Sequence, residues 1–234
     1  MTEVHSSQLA TTPASSSSPI RITLIRVVTV CAYVLVLKVI VEILWQYRDY
    51  FPPRFDDGFL RDHESYFWGV YSLAFYVHLA TGPMSLVCGL LLASSWLRAR
   101  WPQWHRRLGR IQVPCVLFGV APSGLWMAMY AASGVVSAVA LASLALVTSI
   151  SAWCGWRAAW QRDWTRHQRW MSRTLVLLVS AVVLRLIGGT ATVLNYEQEW
   201  LYPASTWFSW CVPLALLELY LWSAGSFSSN KAGE

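Results

Sequence analysis

Two stretches of this chain repeat one arrangement of basic side chains. They read Trp104-His105-Arg106-Arg107-Leu108-Gly109-Arg110 and Arg166-His167-Gln168-Arg169-Trp170-Met171-Ser172-Arg173. Each runs His, any residue, Arg, an apolar residue and then a further Arg. Imidazole is a common metal ligand, and two imidazoles at one depth on separate helices can hold a b-type haem iron between them. The repeat makes His105 and His167 candidate axial ligands. Arg106, Arg107, Arg169 and Arg173 are then candidates to pair with the propionates through charge-assisted hydrogen bonds. The plainer alternative is that both histidines sit among arginines as contacts for lipid headgroups. His78 and Arg185 form a second constellation. Both lie in apolar stretches, where an ionisable group needs a partner or water and often marks a path for an ion or a proton.

Six apolar stretches must carry these residues, at roughly 22–45, 68–96, 110–131, 135–157, 171–194 and 204–224. Each is near the ~20 residues a helix needs to cross a bilayer. The fold expected is all-α, a polytopic bundle of six transmembrane helices over 21–224. Short tails at 1–20 and 225–234 flank it, and the first, rich in Ser and Thr, reads as disordered. The composition agrees: 56% of residues are hydrophobic, 13% are charged, and 15 of 234 are tryptophan.

Charge sets the expected orientation. Arg98, Arg100, Arg106, Arg107, Arg110, Arg157, Arg162, Arg166, Arg169 and Arg173 fall in the second and fourth connections or beside them, with Arg21, Arg26 and Lys231 near the termini. The opposite connections carry only Arg48, Arg54 and Arg61. The positive-inside rule then puts both termini in the cytoplasm and residues 46–67, 132–134 and 195–203 outside, in a cell membrane. Tryptophans mark both borders, Trp45, Trp68, Trp200 and Trp207 on one side and Trp96, Trp101, Trp104, Trp160, Trp164, Trp170 and Trp222 on the other. The net charge of +6 is thus a matter of topology, and nucleic acid is not an expected partner. The bilayer is the expected partner, with an electron-transfer or assembly protein as a further one.

Other chemistries find no support in the spacing. Cys31, Cys88, Cys115, Cys154 and Cys211 lie singly within apolar stretches, which suits packing rather than zinc or a redox dithiol. No Walker loop, HExxH or GxSxG occurs. Asp49, Asp56, Asp57, Asp62, His63 and Glu64 match no calcium loop and read as a solvated acidic segment. Lys38 and Glu42 stand four apart on one helix and are placed for an internal ion pair. Glu218 is expected to offset Arg110 or Arg173. Gly82-Pro83, Pro114, Pro122 and Pro213 should kink or open their helices. Broken helices line transporter sites, which supports a transport or lipid-binding reading centred on His78 and Arg185. A non-catalytic assembly or scaffold role is the third possibility, and enzymatic activity the least supported.

From about His78 to Gly189 the chain resembles a family of bacterial predicted membrane proteins, domain of unknown function 2306. The resemblance rests on His78 with Gly82-Pro83, His105-Arg106 with Gly109-Arg110, His167 with Arg169-Trp170-Met171 and Arg173, and Leu184-Arg185. Family members carry Gln just after the Gly-Pro pair, where this chain has Met84-Ser85. The resemblance implies a multi-helix bacterial membrane protein and brings no established activity. It singles out His78, His105, His167 and Arg185 over Lys38, Glu42 and the acidic segment.

Overall fold

The computed structural model describes residues 19–230, apart from Asp57, Asp62, Ala132 and Glu197. The expected tail at 1–20 therefore falls almost wholly outside the described residues. Helices α1 (Pro19–Gln46), α2 (Glu64–Phe67), α3 (Val70–Ala93), α4 (Ser95–Arg100), α5 (Pro102–Pro114), α6 (Ala121–Ala128), α7 (Gly134–Trp160), α8 (Trp164–Val193) and α9 (Leu201–Asn230) follow in order. No strand occurs among the described residues. Six spans are long and apolar enough to cross a membrane: Thr29–Asp49, Val70–Ala93, Pro102–Ala128, Gly134–Trp160, Trp164–Val193 and Leu201–Ser223. The chain divides into two compact units, Met1–Lys38 and Val39–Glu234. In the first, residues 19–38 are helical. All that follows concerns the second.

Two spans begin earlier than their apolar residues do. Pro102 opens α5 at a position where its missing N–H costs nothing, and the Asp163 carboxylate caps α8 by accepting from the Arg166 amide at 2.9 Å. Both basic repeats therefore lie inside helices, and His105 and His167 each stand three residues after the first residue of their helix. At the other end of the chain, α9 runs on to Asn230.

The third span is interrupted. Between α5 and α6, Cys115–Val120 form a turn of π-helix. Pro114 and Pro122 bracket it, and proline provides no N–H for the ordinary ladder. The hydroxyl of Ser123, on α6, returns to the Gly119 carbonyl at 2.6 Å.

Packing in the second unit relies on small and hydroxylated residues, as it does where lipid removes any hydrophobic drive between helices. α7 packs on α8, α8 on α9, and α3 on α5, α6 and α8. Ser85, Ser137, Ser151, Thr174 and Thr206 are all buried. At the closest approach of α3 to the π-turn, a Cβ at Gly119 would stand 2.6 Å from Cγ2 of Thr81. Between α7 and α8, a Cβ at Gly155 would meet the Met171 sulfur at 2.7 Å. On α8 and α9, Arg173 and Glu218 form a two-pronged ion pair, Nε to Oε1 at 2.5 Å and the NH2 group to Oε2 at 2.8 Å. Arg173 is thus the partner of Glu218.

The segment between α1 and α3 folds back over one end of the unit. Leu60 and Phe67 are completely buried there, with Tyr50, Tyr71 and Phe75. The Tyr76 hydroxyl donates to the Tyr50 carbonyl at 3.0 Å, and the Tyr47 hydroxyl donates to the Leu79 carbonyl. Asp49, Asp56 and Glu64 are exposed, in keeping with a solvated acidic segment. His63 is not: it is 7% exposed, and its Nδ1 donates to the Arg61 carbonyl at 2.7 Å.

Candidate ligand cavity and histidine pair

Beneath this covering segment lies a cavity of about 640 Å³, within the 300–1,000 Å³ typical of small-molecule sites. His78 and Arg185 both line it, so the structure brings this sequence-predicted pair to one place. His78 is eight residues into α3 and Arg185 eight residues from the end of α8, each ~12 Å along its helix at 1.5 Å per residue. Both end at the same side of the molecule, opposite the arginine-rich end.

The hydrogen-bond network assigns the tautomer of His78. Its Nδ1 stands 3.1 Å from the Ser123 hydroxyl oxygen. That hydroxyl already donates to the Gly119 and Val120 carbonyls, at 2.6 and 3.1 Å, so its oxygen accepts from Nδ1–H. Nε2 is then the ring nitrogen left for a ligand. The ring is held between two glycines. A Cβ at Gly124 would lie 3.3 Å from Cε1, and one at Gly82 would lie 3.9 Å from Nε2.

Arg185 makes no ion pair among the described residues. Its NH1 group reaches only the Ala181 carbonyl one turn back, at 3.4 Å. Phenols surround it instead of carboxylates: Tyr47, Tyr50 and Tyr202 line the same cavity and feel its charge, as does His78. Tyr50 lies just beyond the membrane span. Burial pushes its phenol upward, the Arg185 charge works against that, and Asp49 adds to the rise.

The cavity is layered. Nearest the covering segment its walls are rings, including Phe59, His63, Tyr71, Phe75 and Tyr130. Next comes a polar belt with His78 and Arg185, and Ser180 and Thr148 lie below it. Leu86, Leu177 and Leu178 line the deeper part. An anionic group would find its counter-charge at Arg185 and an acceptor for a proton or hydroxyl at His78 Nε2, with apolar walls on both sides.

The second sequence-predicted pair lies at the arginine-rich end. His105 and His167 are close enough for their charges to interact. His167 Nδ1 donates to the Gly155 carbonyl at 2.8 Å, which leaves Nε2 as the ring nitrogen available to a metal, the orientation usual for a metal-ligating histidine. His105 Nδ1 is buried without a hydrogen-bond partner. Of the four arginines assigned to propionates, Arg173 is occupied by Glu218 and lies over the Trp170 ring at 4.7 Å, and Arg107 lies over Trp104 at 5.4 Å. No group of three or more His, Cys, Asp or Glu suited to a metal ion occurs among the described residues. A haem needs only two axial side chains, and His105 and His167 fit that donor set.

Sequence reasoning passed over His63, Ser123 and the tyrosines of the cavity. One signal was present: Tyr47, Tyr50, Tyr66, Tyr71, Tyr76, Tyr130, Tyr196 and Tyr202 all fall near the ends of spans on the side away from the arginines.

The model of one protein family, described as predicted membrane protein (DUF2306), matches residues 75–221. The match takes in most of α3, then α4, α5, the π-turn, α6, α7 and α8, and most of α9. No curated protein and no solved structure matches the chain.

Proposed function

We propose that this chain, which belongs to the DUF2306 family of predicted membrane proteins, binds an amphipathic organic anion in the cavity lined by His78 and Arg185. The observation that carries this reading is an arginine without a carboxylate partner inside a membrane span. A lone arginine near the middle of a bilayer costs roughly 2.5–3.5 kcal/mol on insertion scales. On the same helix, the charge of Arg173 is neutralised by Glu218 of α9. At Arg185 the available neighbours are phenols and an imidazole, none of them a carboxylate, so the counter-charge is left for a ligand to supply. His78 Nε2 beside it accepts a hydroxyl, or takes the proton of a ligand that arrives as its acid. Binding is the shared first step of carriage and of sensing.

The test uses purified protein in nanodiscs and two probe anions, decanoate and 2-naphthoate, beside the uncharged alcohols decanol and 2-naphthalenemethanol. At least one anion should bind about tenfold or more tightly than its alcohol, and Arg185→Gln should abolish that preference while leaving the melting temperature of the unliganded protein within a few degrees. Equal affinity for acids and alcohols, or an anion preference that survives Arg185→Gln, would overturn the reading.

The positive-inside rule supports a cell-membrane location with both termini in the cytoplasm, which puts the cavity at the outer half of the bilayer. A second reading rests on a separate observation, the buried and unpartnered Nδ1 of His105 beside an oriented His167. In it these two residues hold a b-type haem at the cytoplasmic end, with Arg106 and Arg169 at the propionates. Bound there, the haem would supply one-electron chemistry and call for an electron-transfer partner. The two sites lie at opposite ends and do not compete.

A further inference from the structure

We infer that the ligand of the cavity is an aromatic acid, with its ring among the side chains under the covering segment and its carboxylate on Arg185. This inference rests on the anion reading and narrows it. Aromatic residues at a membrane border usually face lipid as anchors. At this end Trp45, Trp68 and Trp200 are exposed and do not line the cavity, whereas Tyr71 and Phe75 line it and are only 3% exposed each. The cavity wall is instead built of Phe, Tyr and His.

Those rings are also arranged as ring partners rather than as plain apolar filler. Phe59 and Phe75 lie 5.8 Å apart and within 15° of parallel, and both line the cavity. Tyr71 meets Tyr130 edge to face at 5.1 Å, and both again line it. Both the stacked and the T-shaped arrangement in which aromatic rings pack therefore occur within the wall itself. The covering segment supplies Phe59 and His63 to this wall, and His63 Nδ1 is held by the Arg61 carbonyl, so its ring has a fixed attitude. A flexible acyl chain would gain little from such a wall. A planar ring one layer above Arg185 gains a contact on each face while its carboxylate reaches the guanidinium.

The two probes already named separate this inference from the reading beneath it. In nanodiscs, 2-naphthoate should bind about fivefold to tenfold more tightly than decanoate, the range expected for one or two added ring contacts. Phe59→Leu and Tyr130→Leu should remove most of that advantage, and the melting temperature of each unliganded variant shows that it is folded. Should either variant fold poorly, competition of decanoate against bound 2-naphthoate on the unaltered protein gives the same ranking. Decanoate binding as tightly as 2-naphthoate, with both dependent on Arg185, would sink the aromatic inference and leave the anion reading standing. Loss of Arg185 dependence for both acids would sink the two together.

Discussion

Gly124 stands so close to His78 that a single methyl group added to it would come within 3.3 Å of the imidazole Cε1. The absence of a side chain at this position of α6 is therefore what lets the histidine of α3 turn its Nδ1 to Ser123 while its ring lines the cavity.

Gly124→Ala should push the ring by a few tenths of an ångström and lengthen its bond to Ser123. The expected result is a weaker binding of the probe acids, by about threefold to tenfold, with a change in melting temperature of only a few degrees. Ser123→Ala should weaken binding to a similar extent, since it frees the same ring. Titration of 2-naphthoate into each variant checks both, and unchanged affinity in the pair would remove His78 from the site.

Gly119→Ala should be the costlier glycine change. The added Cβ would meet Cβ and Cγ2 of Thr81 at 2.9 and 2.6 Å, and a β-branched side chain within a helix has little room to yield. Overpacking of this kind costs about 1–3 kcal/mol. Thr81→Ser, which deletes Cγ2, should restore part of the lost stability when combined with Gly119→Ala. Thermal unfolding of the two single variants and the double variant reads the coupling.

Glu218→Ala should destabilise by more than the double change Arg173→Met with Glu218→Met. Removing one partner leaves a charged guanidinium on a membrane helix, whereas removing both leaves apolar surface. The Glu218 side chain is 45% accessible, so an effect on the order of 1–3 kcal/mol is expected rather than that of a fully buried pair. Equal losses in the two variants would show that the pair is screened.

A dithionite-reduced minus oxidised spectrum of the purified protein, expressed with ample haem, is expected to show a b-type α-band. His105→Ala and His167→Ala should each abolish it. A well-folded protein without the band would remove the haem reading and leave the cavity as the sole site.

Sidedness has its own check. In a background with the five cysteines replaced by alanine, a cysteine at Asp56 should react with an impermeant thiol reagent in intact cells, and one at Arg100 only after lysis. The reverse pattern would turn the cavity toward the cytoplasm.

Much of this was legible in the residues alone because a bilayer makes polarity conspicuous. Six apolar stretches gave the six spans, and His78 and Arg185 stood out because an ionisable residue within such a stretch is costly. The partner of Glu218 was narrowed to Arg110 or Arg173 by their level on α5 and α8, and the structure selects Arg173. The cavity wall was hidden for a physical reason. His63 lies among acidic residues and reads as solvated, and only the return of the 47–67 segment over the helix ends buries it. Ser123 was equally silent, because its service to His78 depends on how α6 is rotated, and periodicity in an evenly apolar helix records no preferred face. Span limits were misplaced for a similar reason: Pro102 and Asp163 start their helices in polar surroundings, ahead of the apolar signal.

That rotation of α6 traces back to the π-turn at Cys115–Val120. One extra residue in a helical turn advances the helix beyond it by about 100°, the angle of a single α-helical step. The π-turn thus works like an indexing tooth, setting the angular position of Ser123 and Gly124 while the helix ends stay where the membrane borders hold them. Removing one residue from the π-turn would not shorten the span so much as dial it round, carrying both residues off His78. A one-residue insertion six positions upstream, by contrast, would turn the arginine-rich end against an unmoved cavity, so a change of register in this span addresses one end of the protein at a time.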